Sequence, residues 1–199
     1  FCSKDKSLTA LPQKGVDVGW GFERLVMIVR GAPTIFETDL FRPLIELIPH
    51  RDLPNEARSV RIVADHARAT AFLITDGVLP SNIAQGYVLR RIIRRAIRHS
   101  RVLNLEPNFL IPLAQKVIEM YKGFYPELSA KKDDILTIIQ KEGEKFSKTL
   151  EHGLREFERL IAHKKSIVRS VGGFTTPIDT LSGADAFYLY ESYGFPMEL

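Results

Sequence analysis

The chain has 199 residues, 45% hydrophobic and 26% charged, an ordinary globular composition long enough for one or two small domains with a buried core. One cysteine, Cys2, excludes an intramolecular disulfide framework and a cysteine-cluster metal site and fits a reducing compartment. The formal net charge is +4, no apolar run reaches about 18 residues, and FCSKDKSLTA has no apolar stretch behind its charges, so neither a membrane span nor a signal peptide is expected.

In chain order, residues 8–20 read as turn chemistry around Pro12 and Gly15, followed by a short strand. Residues 21–31 read as a helix with Gly31 just past its end, and Thr38 is placed to N-cap a second helix, DLFRPLIELI, with Pro43 early enough to be tolerated. The proline-flanked connector at residues 49–55 predicts a domain boundary. A long helix follows from Asn55 until Gly77 stops it, then a loop, VLPSN, and a basic helix from about Gly86 to Arg101. Another helix spans residues 108–122. The last long one runs from about Ala130 to Lys165, its stripe formed by Ile135, Ile138, Ile139, Phe146, Leu150, Leu154, Phe157 and Ile161. Residues 172–181 predict a loop or hairpin, and residues 183–193 a short helix ending at Gly194. The chain starts on Phe1, not Met, and reads as a piece of a longer protein.

The positive charge is concentrated. Residues 51–105 hold ten arginines and four acids, a local +6, and no lysine occurs between Lys14 and Lys116. Arginine is the planar, bidentate reader of phosphate and guanine, so this block directs attention to a nucleic-acid face. On a helical wheel Arg90, Arg91, Arg94, Arg95, Arg98 and Arg101 of GYVLRRIIRRAIRHSR fall within about 140°, with Leu89, Ile92, Ile93, Ala96 and Ile97 opposite. Two readings fit. The helix is a solvated amphipath whose arginines pair with acids of neighbouring helices, or the six like charges are neutralised by a polyanion whose binding is salt-dependent.

Just ahead of that helix, Ser81 or Asn82 of LPSN is placed to cap it. Asn82 also offers an amide that can read a base edge beside the arginines, and both readings can hold. Asp17-Val-Gly-Trp-Gly-Phe-Glu-Arg24 is either a tight strand-to-helix turn or a phosphate-binding turn in which Arg24 adds the cation. His66 has no second histidine at ligand spacing, and His152 and His163 are too far apart to share an ion, so no metal site is expected.

DVGWGFERL, ETDLFRPLIELI, RIVADHARATAFLITDGVLPSN, GYVLRRIIRRAIRH, the stretch from Lys141 to Leu154 and LYESYGFP, in that order, resemble the alanyl-tRNA synthetase family over nearly the whole chain. The resemblance implies a cytoplasmic class II ligase that condenses alanine with ATP, with Mg, to alanyl-adenylate and transfers alanine to tRNA(Ala). It implies a mainly α fold. Residues 1–50 would be the last part of the α/β catalytic domain, a strand plus helices including the third class II motif. Residues 51–199 would be a helical tRNA-recognition domain.

Residue by residue, the resemblance assigns Asp17 to the ammonium of alanine, Gly19 to keeping that pocket small, Gly21 to the same alanine and ATP site, and Arg24 to ATP phosphate. It assigns Asn82 to the G·U wobble pair of the acceptor stem. Glu191 stands where the family usually has an aspartate reading the same pair. Arg90, Arg91, Arg94, Arg95 and Arg98 would hold phosphates. In a G·U wobble the guanine 2-amino group has no Watson–Crick partner and lies in the wide, shallow minor groove of A-form RNA, where an amide or carboxylate can accept from it.

The chain departs from the family in three respects. The first two class II motifs are absent. The family's Glu-Gly-Arg after the asparagine is Ile83-Ala84-Gln85. Glu191 replaces the family's aspartate with a side chain one methylene longer, and the editing domain and its zinc cluster are also absent. The piece alone is therefore expected to be catalytically inactive and to require no cofactor, with no membrane partner. The rival readings are a stand-alone RNA-binding helical module and a helical scaffold whose arginines only pair with acids.

Overall fold

A computed structural model of the chain describes residues 10, 13–51, 54–171 and 181–193. All regular structure among them is helical, in agreement with a mainly α fold. The chain divides into two compact units, Phe1–Glu46 and Leu47–Leu199. The expected boundary lay after residue 50.

In the first unit, α1 (Phe22–Arg30) is followed by Gly31 in the left-handed region. Gly31 N–H reaches Ile28 O and Ala32 N–H reaches Met27 O, closing the last turn. A 3-10 turn (Ile35–Glu37) leads to α2 (Arg42–Leu47). Thr38, expected to cap α2, does not do so with its side chain. Its hydroxyl donates to Ile35 O at 2.6 Å, while its carbonyl accepts from Phe41 and Arg42. Thr34, four residues earlier, caps the 3-10 turn, accepting from Phe36 N–H at 3.2 Å. Phe36 and Phe41 pack with ring centroids 5.0 Å apart.

The strand expected before α1 does not form, and no strand occurs among the described residues. Backbone ladder groups need a partner strand, and Val16, Val18 and Trp20 of this segment are all exposed, Trp20 at 74%.

The second unit is a helical assembly. In α3 (Pro54–Thr75) the residues Val60, Val63, Ala64, Ala67, Ala71 and Ile74 are buried at helical spacing. Gly77 then adopts φ 88°, a conformation costly for any residue with a Cβ, and Val78 N–H bonds back to Leu73 O. Lys131 donates to Thr75 O at 2.7 Å, placing a cation on the last carbonyls of α3. Against α3 lies α4 (Ala84–Val102), burying Leu89, Ile93 and Ala96. α5 (Leu110–Tyr121) packs on α3 and α7 through Leu110, Leu113, Ala114, Val117 and Ile118. A short α6 (Pro126–Ala130), which the sequence pattern did not reveal, precedes α7 (Lys132–Val171). Phe72 meets Tyr121 and Tyr125 edge-on at 5.4 and 5.1 Å, tying α3 to the end of α5.

α7 has 40 residues, about 60 Å of helix, longer than the span expected. Its buried stripe runs Ile135, Ile139, Glu142, Phe146, Leu150. Leu154, expected in that stripe, is 39% exposed. Phe157 and Leu160 continue the packing instead, around a cluster of Phe146, Leu150 and Leu189. Leu189 belongs to α8 (Gly183–Tyr193), which packs on α7. The loop or hairpin expected at residues 172–180, and Pro12 and Gly194, lie outside the described residues.

Candidate nucleic-acid interface

The loop 79–83 folds back onto the first turn of α4. Ser81 N–H donates to Gly86 O at 3.1 Å, and the Ser81 hydroxyl donates to Ile83 O at 2.9 Å and accepts from Ile83 N–H. Neither Ser81 nor Asn82 caps α4. The N-cap is Ile83, without a side-chain bond. Gly86 is buried so close under the loop that a Cβ there would meet Ser81 Oγ and Leu79 O and lie 2.9 Å from Ser81 Cβ. Ala84 is held at φ 48°. Asn82 is exposed, and its Oδ1 accepts from Arg90 Nη1, eight residues further along the chain.

The six arginines of α4 do not form one solvent face. Arg94 Nε lies 2.7 Å and Arg90 Nε 3.4 Å from Oε1 of Glu142, which is 7% exposed on α7. The Arg94 guanidinium also stacks over Phe146, 5.1 Å from the ring centroid. The Arg90 and Arg94 side chains are 23% and 17% exposed. For these two the reading in which the arginines pair with acids of a neighbouring helix holds, because their wheel positions adjoin the seam with α7, where Glu142 is buried. Arg91 and Arg95, further round the wheel, and Arg101, at the C-terminal end of α4, are exposed. Arg98 is half-buried and its Nη2 donates to His99 Nε2 at 3.2 Å.

His99 fastens α4 to α3. With Nε2 accepting from Arg98, Nδ1 carries the proton and donates to Ser59 Oγ at 3.0 Å. Burial, with the charges of Arg98, Arg95 and Arg58, lowers its pKa to about 4, so the ring is neutral at physiological pH.

Glu191 is exposed on α8. Leu189, two residues earlier, is the buried contact with α7, so Glu191 lies about 200° round the helix from that face. No contact joins Glu191 to Asn82 among the described residues.

In the first unit, Asp17, Gly19, Gly21 and Arg24 are all exposed. Nothing lies within 4 Å of where a Cβ on Gly19 would stand. α1 begins after Gly21 without a side-chain cap and carries the Arg24 guanidinium in its first turn. This donor set suits an anion, and the Asp17 carboxylate suits an ammonium, but four exposed residues make only one edge of such a site. Among the described residues no group of three His, Cys, Asp or Glu could hold a metal ion, and no helix is long and apolar enough to cross a membrane.

Two side chains of the interface escaped the sequence reading. Tyr87, 45% exposed, lies one turn before Arg91 on its face of α4. Glu142 fills the α7 stripe position between Ile139 and Phe146. An acid at a position where the helical period demands an apolar residue was the available signal.

A helical unit, with an arginine-bearing helix locked at the α7 seam and open further round, follows in sequence a short segment carrying Asp17, Gly19, Gly21 and Arg24. Residues 2–199 match the family described as tRNA synthetases class II (A), and the chain belongs to it. More particularly, it is 42% identical to the alanine–tRNA ligase of Bacillus anthracis, 40% to that of Bacillus subtilis and 38% to that of Bacillus pumilus. Each comparison covers 98% of this chain and 22% of the relative's length.

Proposed function

We propose that this chain is the acceptor-stem-reading part of an alanine–tRNA ligase, joined to the end of the catalytic domain. Residues 1–50 belong to the catalytic domain and residues 51–199 to the tRNA-recognition domain. In the whole cytoplasmic enzyme ATP, with Mg, activates the alanine carboxylate as an adenylate. Asp17 then holds the alanine ammonium, Gly19 and Gly21 keep backbone close to the substrates, and Arg24 holds phosphate. The 199-residue chain alone does not activate alanine, in line with the exposure of all four of these residues.

The RNA-binding reading rests on one observation above all. Arg91, Arg95 and Arg101 stay exposed on a helix whose N-terminal loop presents the exposed amide of Asn82. Phosphate contacts set register and carry no sequence information, so the discriminating groups are Asn82 and Glu191. Arg90 can only donate, so the Asn82 oxygen faces α4. A carbonyl oxygen has a second lone pair, which accepts from the unpaired guanine 2-amino group of a G·U pair.

The test is binding of minihelix RNAs differing only in G·U against G·C. Asn82→Ala reduces the preference for G·U by about 1–3 kcal/mol with little loss on G·C. Equal loss on both stems makes Asn82 a phosphate or structural residue and transfers the reading to Glu191. Alanine-dependent ATP–pyrophosphate exchange by the purified chain would contradict its inactivity.

A further inference from the structure

We infer that Glu142 of α7 is a positioning residue for Asn82, acting through Arg90 across the α4–α7 seam. The inference rests on the proposed role of Asn82 at the acceptor stem and adds a residue that touches no RNA.

The chain of contacts has three links. Glu142 is buried and presents Oε1 to Arg94 Nε at 2.7 Å and to Arg90 Nε at 3.4 Å. Arg90 in turn donates from Nη1 to Asn82 Oδ1. The guanidinium is planar and rigid, so a carboxylate holding its Nε edge also sets the direction of Nη1. Asn82 sits on a loop, where the amide would otherwise rotate freely between its two ends. A guanidinium has donors only, so Arg90 fixes the oxygen end of the amide in place and leaves its second lone pair for the guanine 2-amino group. Arg94 makes the shorter contact and stacks on Phe146, which leaves it the mechanical anchor of Glu142. Arg90 is the arm that reaches the loop.

Without the carboxylate, Arg90 and Arg94 repel one another at the seam, and Arg90 swings toward solvent or RNA phosphate. The amide then loses its fixed orientation. Affinity for any RNA does not fall, because an uncompensated guanidinium has been released toward the polyanion. A residue that merely stabilised the fold would instead lower binding to both stems together.

The experiment compares wild-type chain with Glu142→Gln, Arg90→Gln and Asn82→Ala. The first readout needs no RNA: the 15N–1H resonances of the Asn82 side-chain amide. They are expected to move in Glu142→Gln toward their positions in Arg90→Gln. The second is the ratio of minihelix affinities, G·U over G·C. It is expected to fall about five-fold or more in Glu142→Gln, with affinity for the G·C stem unreduced, and to fall no further when Asn82→Ala is added. Asn82 resonances that stay in their wild-type positions overturn the inference, as does an unchanged affinity ratio in a chain whose wild type discriminates. A wild type that does not discriminate sinks the base-reading role instead, and the resonances alone then decide the positioning role. If Glu142→Gln does not fold, Arg90→Gln keeps the Glu142–Arg94 pair and must still move the Asn82 resonances; if it does not, the inference fails.

Discussion

Arg94 Nε donates to the buried Oε1 of Glu142 at 2.7 Å, and this one contact across α4 and α7 divides the basic helix into two kinds of arginine. Arg90 and Arg94 neutralise an acid inside the fold. Arg91, Arg95 and Arg101 keep their charge for the outside.

The division has a direct consequence for stability. Arg94→Ala leaves Glu142 buried with only the longer Arg90 contact and removes the stack on Phe146. Breaking a buried pair from one side costs about 3 kcal/mol. Arg91→Ala, at an exposed position, changes stability by less than about 0.5 kcal/mol. Urea unfolding of the two variants measures the difference, and equal losses would mean that the seam is not where the Arg94 charge is used.

RNA binding reverses the ranking. Arg91→Ala and Arg95→Ala each flatten the salt dependence by about one unit for every phosphate that is no longer neutralised, whatever the RNA sequence. Arg94→Ala leaves the slope nearly unchanged in the fraction that remains folded. Titrations at several salt concentrations separate these outcomes, and an unchanged slope in the Arg91/Arg95 double variant returns those residues to ordinary surface charge.

Ala84 at φ 48° opens α4 in a conformation that strains a residue with a Cβ. Ala84→Gly relieves that strain, offset in part by the greater freedom of glycine in the unfolded chain. The net expectation is a gain of about 0.5–1 kcal/mol, read as a higher melting temperature. A loss would place Ala84 in ordinary helical geometry.

Gly86 carries the opposite sign. Its Cβ would stand 2.9 Å from Ser81 Cβ and closer still to Ser81 Oγ and Leu79 O. Part of that obstacle is backbone, so Gly86→Ala must displace the loop, at about 1–3 kcal/mol. Because the loop carries Asn82, the variant also loses G·U preference. Retention of both stability and preference would show that the loop does not press on the helix.

His99 makes stability depend on pH. Its pKa falls from about 6.5 unfolded to about 4 folded, so the unfolded chain binds the extra proton first. The contribution is complete above pH 6.5 and is lost as pH falls toward 4, up to about 3 kcal/mol. Unfolding free energies at pH 7 and pH 4.5 measure it. His99→Gln is expected to flatten that difference, and an equal slope in the variant would assign the acid sensitivity to other groups.

Much of the helical framework was legible in the residues. Helical periods and stop signals place α1, α3, α4, α5 and α8 within a few residues of where they lie, because local propensity, apolar spacing and glycine geometry act within one turn. α7 was legible as one long helix but its far end was not, and α6 was not legible because five residues are too short to show a period. The short strand expected at the end of residues 8–20 does not form for a different reason: only a partner strand makes one.

The order of the motifs, the concentration of arginine between residues 51 and 105, and the placement of Asn82 ahead of a basic helix belong to the sequence by itself, and with them the family. Which arginines face inward does not. That depends on the crossing of α4 with α7, which brings Glu142 within reach of residues 48 and 52 positions earlier in the chain. A wheel sorts side chains about one helix axis only. The burial that turns an acid into an anchor and the burial that displaces the pKa of His99 involve neighbours distant in sequence, which meet only once the helices have packed.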